Sequence, residues 1–222
     1  MLRTAGLTAL LVLAGYASAH WLTHDFQVWT AEGARRLEVA LQPVDTPPVL
    51  IDGPGLAAQP LPAWLRGGAD GGAGAVTLVD FIYTRCQTVC LTLGSSFQQM
   101  QAALLADRTA GHDTGVRLLS LSFDGAHDTP AVLQAYAQRL QADPAMWRFA
   151  RVPDGAQMQQ LLRRFEVVVV PDGRGDYEHN AALLVLDNQG RLVRIFDVAE
   201  QVLALDYARS LARKGRAPGL VP

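Results

Sequence analysis

Val76-Thr77-Leu78-Val79-Asp80-Phe81-Ile82-Tyr83-Thr84-Arg85-Cys86-Gln87-Thr88-Val89-Cys90 contains both cysteines of this 222-residue chain, separated by three residues and placed just after an apolar run. Val76 to Tyr83 reads as a strand. If Cys90 opens a helix, both sulfurs lie at a strand-to-helix turn, where the helix dipole favours thiolate over thiol. Such a pair can close a disulfide, hold a soft metal, or do both in turn.

Downstream of the cysteines the pattern is regular. Leu93, Phe97, Met100 and Leu104 recur at helical spacing, predicting a helix over about 91–106. A strand from Val116 to Phe123 precedes Thr129-Pro130, a cap and first-turn pair for a helix running to about Leu140. A short strand near Trp147 to Val152, with Trp147 and Phe149 as core residues, leads to a helix from about Gly155 to Phe165. The four valines Val167 to Val170 read as a buried strand end. Strand Ala181 to Leu186 turns at Asp187-Asn188-Gln189-Gly190 into Leu192 to Phe196, a hairpin, and a helix from about Val198 to Lys214 closes the domain. The order β-α-β-α-β-α-β-β-α predicts an α/β fold with a central mixed sheet, helices on both faces and a closing hairpin. A thioredoxin-like sheet has this order, with its redox turn after an early strand.

Upstream, Met1-Leu2-Arg3, the apolar stretch from Leu7 to Ala14 and Ala17-Ser18-Ala19 form a signal-peptide pattern. The apolar span continues to Leu22, so at about 18 residues it also suffices as a membrane anchor. Residues 1–22 are therefore read as a signal peptide or anchor, 23–42 as a stalk or short N-terminal element without clear period, and 43–222 as one domain. Either fate places the domain outside the cytoplasm, periplasmic or facing the periplasm from the inner membrane, where unused thiols oxidise. Pro43 to Gly74 is rich in Pro and Gly and reads as loops around short strands such as Val49-Leu50-Ile51. Its glycines lack a following Gly-Lys-Ser/Thr, so they do not form a phosphate cradle. A net charge of −2 and the absence of any aromatic-basic stripe exclude nucleic acid as an expected partner.

A static bridge is the plain alternative for the cysteines, but so small a loop gains little from closure entropy. For a metal, two thiolates need a further donor. Of the five histidines, His20 and His24 lie in the stalk, and His112 and His127 lie in polar loops. His179 ends the loop Pro171-Asp172-Gly173-Arg174-Gly175-Asp176-Tyr177-Glu178 and precedes a strand whose start faces the cysteine turn in a thioredoxin-like sheet. Two thiolates and one imidazole suit Cu(I) and, with another ligand, Cu(II), whereas zinc normally wants a fourth donor. A c-type haem is disfavoured, since the spacing is Cys-x-x-x-Cys with no following His.

Three motifs in order resemble the SCO1/SenC family: Tyr83-Thr84-Arg85-Cys86-Gln87-Thr88-Val89-Cys90; Ser122-Phe123-Asp124 to Asp128-Thr129-Pro130 with Leu133 and Tyr136-Ala137; and Tyr177-Glu178-His179 with Asp187-Asn188-Gln189-Gly190. The resemblance covers roughly 76–196. It implies a thioredoxin-like copper metallochaperone that helps assemble the binuclear copper centre of cytochrome c oxidase, with Cys86, Cys90 and His179 as copper ligands. The partner it implies is the copper-accepting oxidase subunit, with another copper carrier or a thiol reductant upstream. Two features depart from the family pattern: Gln87 and Leu91 stand where proline is usual, and residues 56–75 are glycine-rich where a clearer strand pair is usual.

Val79-Asp80-Phe81, with Cys86 six positions after the aspartate, is also similar to the thioredoxin active-site strand, in which a buried aspartate accepts a proton for the second cysteine. Asp80 in that role would favour thiol-disulfide reductase activity on the cysteines of a copper-accepting partner, while a strand-edge carboxylate bonded to backbone is the simpler reading. Asp124 and Asp128 can support the site or partner docking, but Asp128 reads most simply as a helix-start residue. Tyr83 and Tyr177 either flank the metal or pack as ordinary aromatics. The expectation is a carrier and not a turnover enzyme, with Cys86 and Cys90 as the redox pair if exchange chemistry occurs.

Overall fold

The computed structural model describes residues 2–23, 25–26, 28–67, 75–86, 89–112, 114–173 and 176–216, with the side chains of residues 2, 3, 89–91 and 216 outside that description. An apolar helix α1 (Leu2–Leu22) precedes α2 (Ala31–Leu41), β1 (Val44–Asp45), the hairpin β2 (Leu50–Gly53) and β3 (Leu56–Pro60), and a short α3 (Leu61–Leu65). Then follow β4 (Val76–Ile82), α4 (Val89–Thr109), β5 (Val116–Ser122), α5 (Pro130–Arg139), β6 (Trp147–Arg151) and α6 (Gly155–Arg164). A two-stranded ribbon, β7 (Val169–Pro171) with β8 (Tyr177–His179), precedes β9 (Leu183–Leu186), β10 (Arg191–Phe196), a 3-10 turn (Val198–Glu200) and α7 (Gln201–Arg216).

Eight strands form one sheet in the order β1-β10-β9-β4-β5-β6-β2-β3. β4, β5 and β6 run parallel, and β9 joins β4 antiparallel with Val79 opposite Leu184. Every residue of β4 and β5 is buried, as expected of central parallel strands covered on both faces. Val79, Phe81, Leu119, Leu121 and Leu184 point to one face, where Leu61, Trp64 and Leu65 of α3 and Met158, Leu161 and Leu162 of α6 cover them. Leu78, Leu118, Trp147, Phe149, Leu183 and Val185 point to the other, under Leu93, Phe97 and Met100 of α4, Leu133 of α5 and Ala204 and Ala208 of α7. Apart from the β7–β8 ribbon inserted before β9, the α/β order read from the sequence holds from β4 onward, including the turn Asp187–Gly190 and the Thr129 cap, whose side chain accepts from the Val132 N–H.

The N-terminal third is more ordered than expected. Residues 31–41, read without a period, form α2, which packs on β10. Its inward face carries Arg35 and Val39; the Arg35 guanidinium donates to the Phe165 carbonyl at 3.2 and 2.7 Å and pairs with Glu32. A buried arginine breaks an apolar stripe, which hides the period. The short strand expected around Val49–Ile51 is present as β2 and pairs with β3 in a hairpin that turns at Gly55 with φ 63°. The lead-in's glycines at 68–74 lie outside the described residues.

Two expectations around the ribbon are corrected. The valines at 167–170 are not a buried strand end: Val167 is buried, but Val168 and Val170 are 56% and 53% exposed. A two-stranded ribbon has only one covered face, so alternate residues meet solvent. The strand after His179 begins at Leu183, not Ala181, and His179 itself belongs to β8, opposite Val169.

Candidate metal centre

The site begins where β4 ends. Chain direction reverses into α4 through residues 83–86, and the Cys86 N–H donates to the Tyr83 carbonyl at 3.2 Å. Cys86 is 5% exposed, packed among Tyr83 and the α4 residues Leu93 and Phe97. α4 starts at Val89, so Cys90 lies in its first turn, as the sequence implied; the Cys90 side chain lies outside the described residues, as does Gln87. The exposed amides of a helix start favour a thiolate there.

His179 arrives from the other side of the same edge. Because β9 runs antiparallel to β4, the chain entering β9 crosses the C-terminal end of β4. The link between the two is aromatic. The Tyr83 ring lies 5.2 Å from Phe123 and 5.1 Å from Tyr177, and Phe123 lies 5.4 Å from both Tyr177 and the His179 imidazole. Burial pushes the His179 pKa down, which favours the neutral imidazole that can donate a lone pair.

Tyr83 ties the ribbon to the cysteine turn. Its hydroxyl donates to the Asp176 carboxylate and lies 3.3 Å from the Tyr177 carbonyl. Burial, the Asp176 hydrogen bond and the neighbouring Cys86 sulfur all push its pKa upward, so the group remains a hydrogen-bond donor. Tyr83 and Tyr177 pack as aromatics against each other, in the same cluster as Cys86.

Asp80 is not a strand-edge residue. It sits in the central strand beside Ser120 of β5, fully buried, and neither carboxylate oxygen has a hydrogen-bond partner among the described residues. Burial pushes its pKa up to about 7, only partly offset by the Ser120 hydroxyl, which itself accepts the Trp147 indole N–H at 2.9 Å. At neutral pH such a group both takes up and releases protons.

Asp128 is likewise not a helix-start residue; Thr129 caps α5. The Asp128 side chain is 0% exposed and accepts from the Thr84 N–H at 3.0 Å, the Thr84 hydroxyl at 2.5 Å and the Ser122 hydroxyl at 2.6 Å. Next to it, Arg85 pairs with Asp124 at 2.8 Å. Local spacing could not show this, because the donors come from two different strand ends. The available signal was that Thr84 and Ser122 both lie at the C-terminal ends of adjacent parallel strands, where Ile82 stands opposite Ser122. Of the other histidines, His20 pairs with Asp25 at 3.0 Å, His112 and His127 are exposed, and His24 lies outside the described residues. Among the described residues no group of three or more His, Cys, Asp and Glu side chains is arranged around a metal position, the Cys90 sulfur not being one of them.

Comparison with known proteins gives concordant matches. A family model described as SCO1/SenC matches residues 69–212. The SCO1 protein homolog of Bacillus subtilis (strain 168) is 25% identical over 129 residues, 57% of this chain and 64% of that protein, which is less than two thirds of the relative's own length. The copper-bound structure of Bradyrhizobium japonicum ScoI superimposes with a TM-score of 0.57 at 24% identity, over 75% of this chain and 99% of that one. BsSco, described as a member of the Sco family of cytochrome c oxidase assembly proteins and as having a disulfide switch, superimposes with a TM-score of 0.62 at 19% identity, over 78% and 95%. At these identities the superpositions establish the shared thioredoxin-like fold.

Proposed function

The chain belongs to the SCO1/SenC family, and from that membership we propose that it is a copper metallochaperone serving the binuclear copper centre of cytochrome c oxidase. Copper is its cargo, held by the thiolates of Cys86 and Cys90 and the imidazole of His179. One observation carries the reading: Cys86 and His179, more than 90 residues apart in sequence, meet a single aromatic cluster at the C-terminal end of β4, with Cys90 in the adjoining helix turn. The donor chemistry fits, because two sulfurs and a neutral imidazole form a soft set matched to Cu(I).

Transfer proceeds by ligand exchange with thiols of the copper-accepting oxidase subunit, after loading by another copper carrier or reduction by a thiol reductant. The apolar stretch Thr4–Leu22, with mean hydropathy 1.4 and none of it buried, supports export and either a cleaved signal or an inner-membrane anchor, with residues 43–222 on the periplasmic side. Copper content of the wild-type protein and of Cys86→Ser/Cys90→Ser, measured after export and purification, tests the reading; equal content in both sinks it.

Asp80 supports a second reading, a thiol-disulfide reductase acting on the partner's cysteines, since a buried carboxyl near neutrality can relay the proton that exchange at Cys90 requires. His179→Ala separates the two. A copper carrier loses affinity sharply, whereas a reductase keeps most of its disulfide-exchange rate.

A further inference from the structure

We infer that Asp128 is a positioning residue for metal capture, fixing the turn that presents Cys86. The inference rests on the copper reading above. A carboxylate removed from water is costly unless its lone pairs are satisfied. Among the described residues the three donors to Asp128 are neutral, and two of them, the N–H and hydroxyl of Thr84, belong to one residue two positions before Cys86. Gripping both groups fixes the backbone and χ1 of Thr84 together. The neighbouring cations are engaged elsewhere, Arg85 with Asp124 and Arg151 with Asp52.

The turn that bears Asp128 is itself held fast. A Cβ on Gly125 would stand 2.2 Å from the Val152 carbonyl oxygen, so the backbone there lies against β6 with no room to shift. The Gly125 carbonyl accepts from Arg151 at 2.7 Å, and Arg151 is in turn held by Asp52 on β2. A line of contacts thus runs from β2 through β6 to Asp128, then to Thr84 and Cys86. The helix does not need this carboxylate, because Thr129 already caps α5. What the carboxylate does supply is a turn ordered before copper arrives, so that binding does not have to order it.

Cu(I) competition against a chromophoric chelator, on the reduced full chain, tests this. Asp128→Asn and Thr84→Val should bind Cu(I) about 10- to 100-fold more weakly, the range typical of lost outer-sphere support, while Thr84→Ser, which keeps the hydroxyl, should bind as the wild type does. A second readout needs no metal: alkylation of Cys86 by iodoacetamide should quicken in Thr84→Val and not in Thr84→Ser. Wild-type affinity and alkylation rate in a folded Thr84→Val overturn the inference, as does equal weakening by Thr84→Ser and Thr84→Val. If the wild type holds Cu(I) no better than Cys86→Ser/Cys90→Ser, the copper reading fails instead, and alkylation alone decides the clamp.

Discussion

Replacing Asp80 by asparagine should change how stability depends on pH. The Asp80 carboxyl titrates near 7 in the folded chain against 3.8 for the unperturbed group, a difference of about three units and so roughly 4 kcal/mol. Because the folded value is the raised one, the associated stability is fully present below about pH 4 and is lost as pH rises through about 7. At pH 5 the unfolded chain is already ionised while the folded one is not, which costs about 1.5 kcal/mol; by pH 8.5 the full penalty applies. The wild type should therefore lose about 3 kcal/mol relative to Asp80→Asn between pH 5 and 8.5. Urea unfolding of the two reduced proteins at both pH values measures this, and taking their difference cancels every other titrating group. An amide buried without partners adds an offset that does not vary with pH. A wild-type-minus-variant difference that is the same at both pH values would refute a buried, protonatable Asp80.

Two further substitutions probe the scaffold. Gly125→Ala should destabilise the fold by about 1–3 kcal/mol, since its Cβ would meet the Val152 carbonyl rather than a movable side chain; a thermal melt unchanged from wild type would show that the turn has slack. Arg35→Met should cost about 1.5–3 kcal/mol, the loss of charge-assisted bonds to the Phe165 carbonyl, and the urea midpoint should fall accordingly.

The central sheet was legible because β4, β5 and β9 are rich in branched apolar residues and the helices between them repeat their apolar residues at helical spacing. α2 was not legible, since its core-facing position 35 holds an arginine whose partner, Phe165, lies on the far side of the sequence. β2 showed only as a short apolar run, while β3 and the ribbon are too short for periodicity to register. In the site, the cysteines and His179 stood out through spacing and motif order. Asp128 did not, because its donors sit 44 and 6 residues away and only the parallel register of β4 and β5 brings them together. Asp80 drew notice as a charge in an apolar strand, but its complete burial depends on what surrounds it.

The docking of α2 on β10 has a consequence for reach. With that helix fixed to the sheet, only residues 23–30 separate the end of α1 from the folded body. Eight residues at no more than about 3.5 Å each give a leash of about 28 Å. A protein whose α1 stays in the bilayer is thereby confined to a shallow layer above the membrane surface. Any partner must then meet the folded body within that layer, and lengthening the segment between Thr23 and Thr30, with the cysteines untouched, would alter which surfaces it can reach.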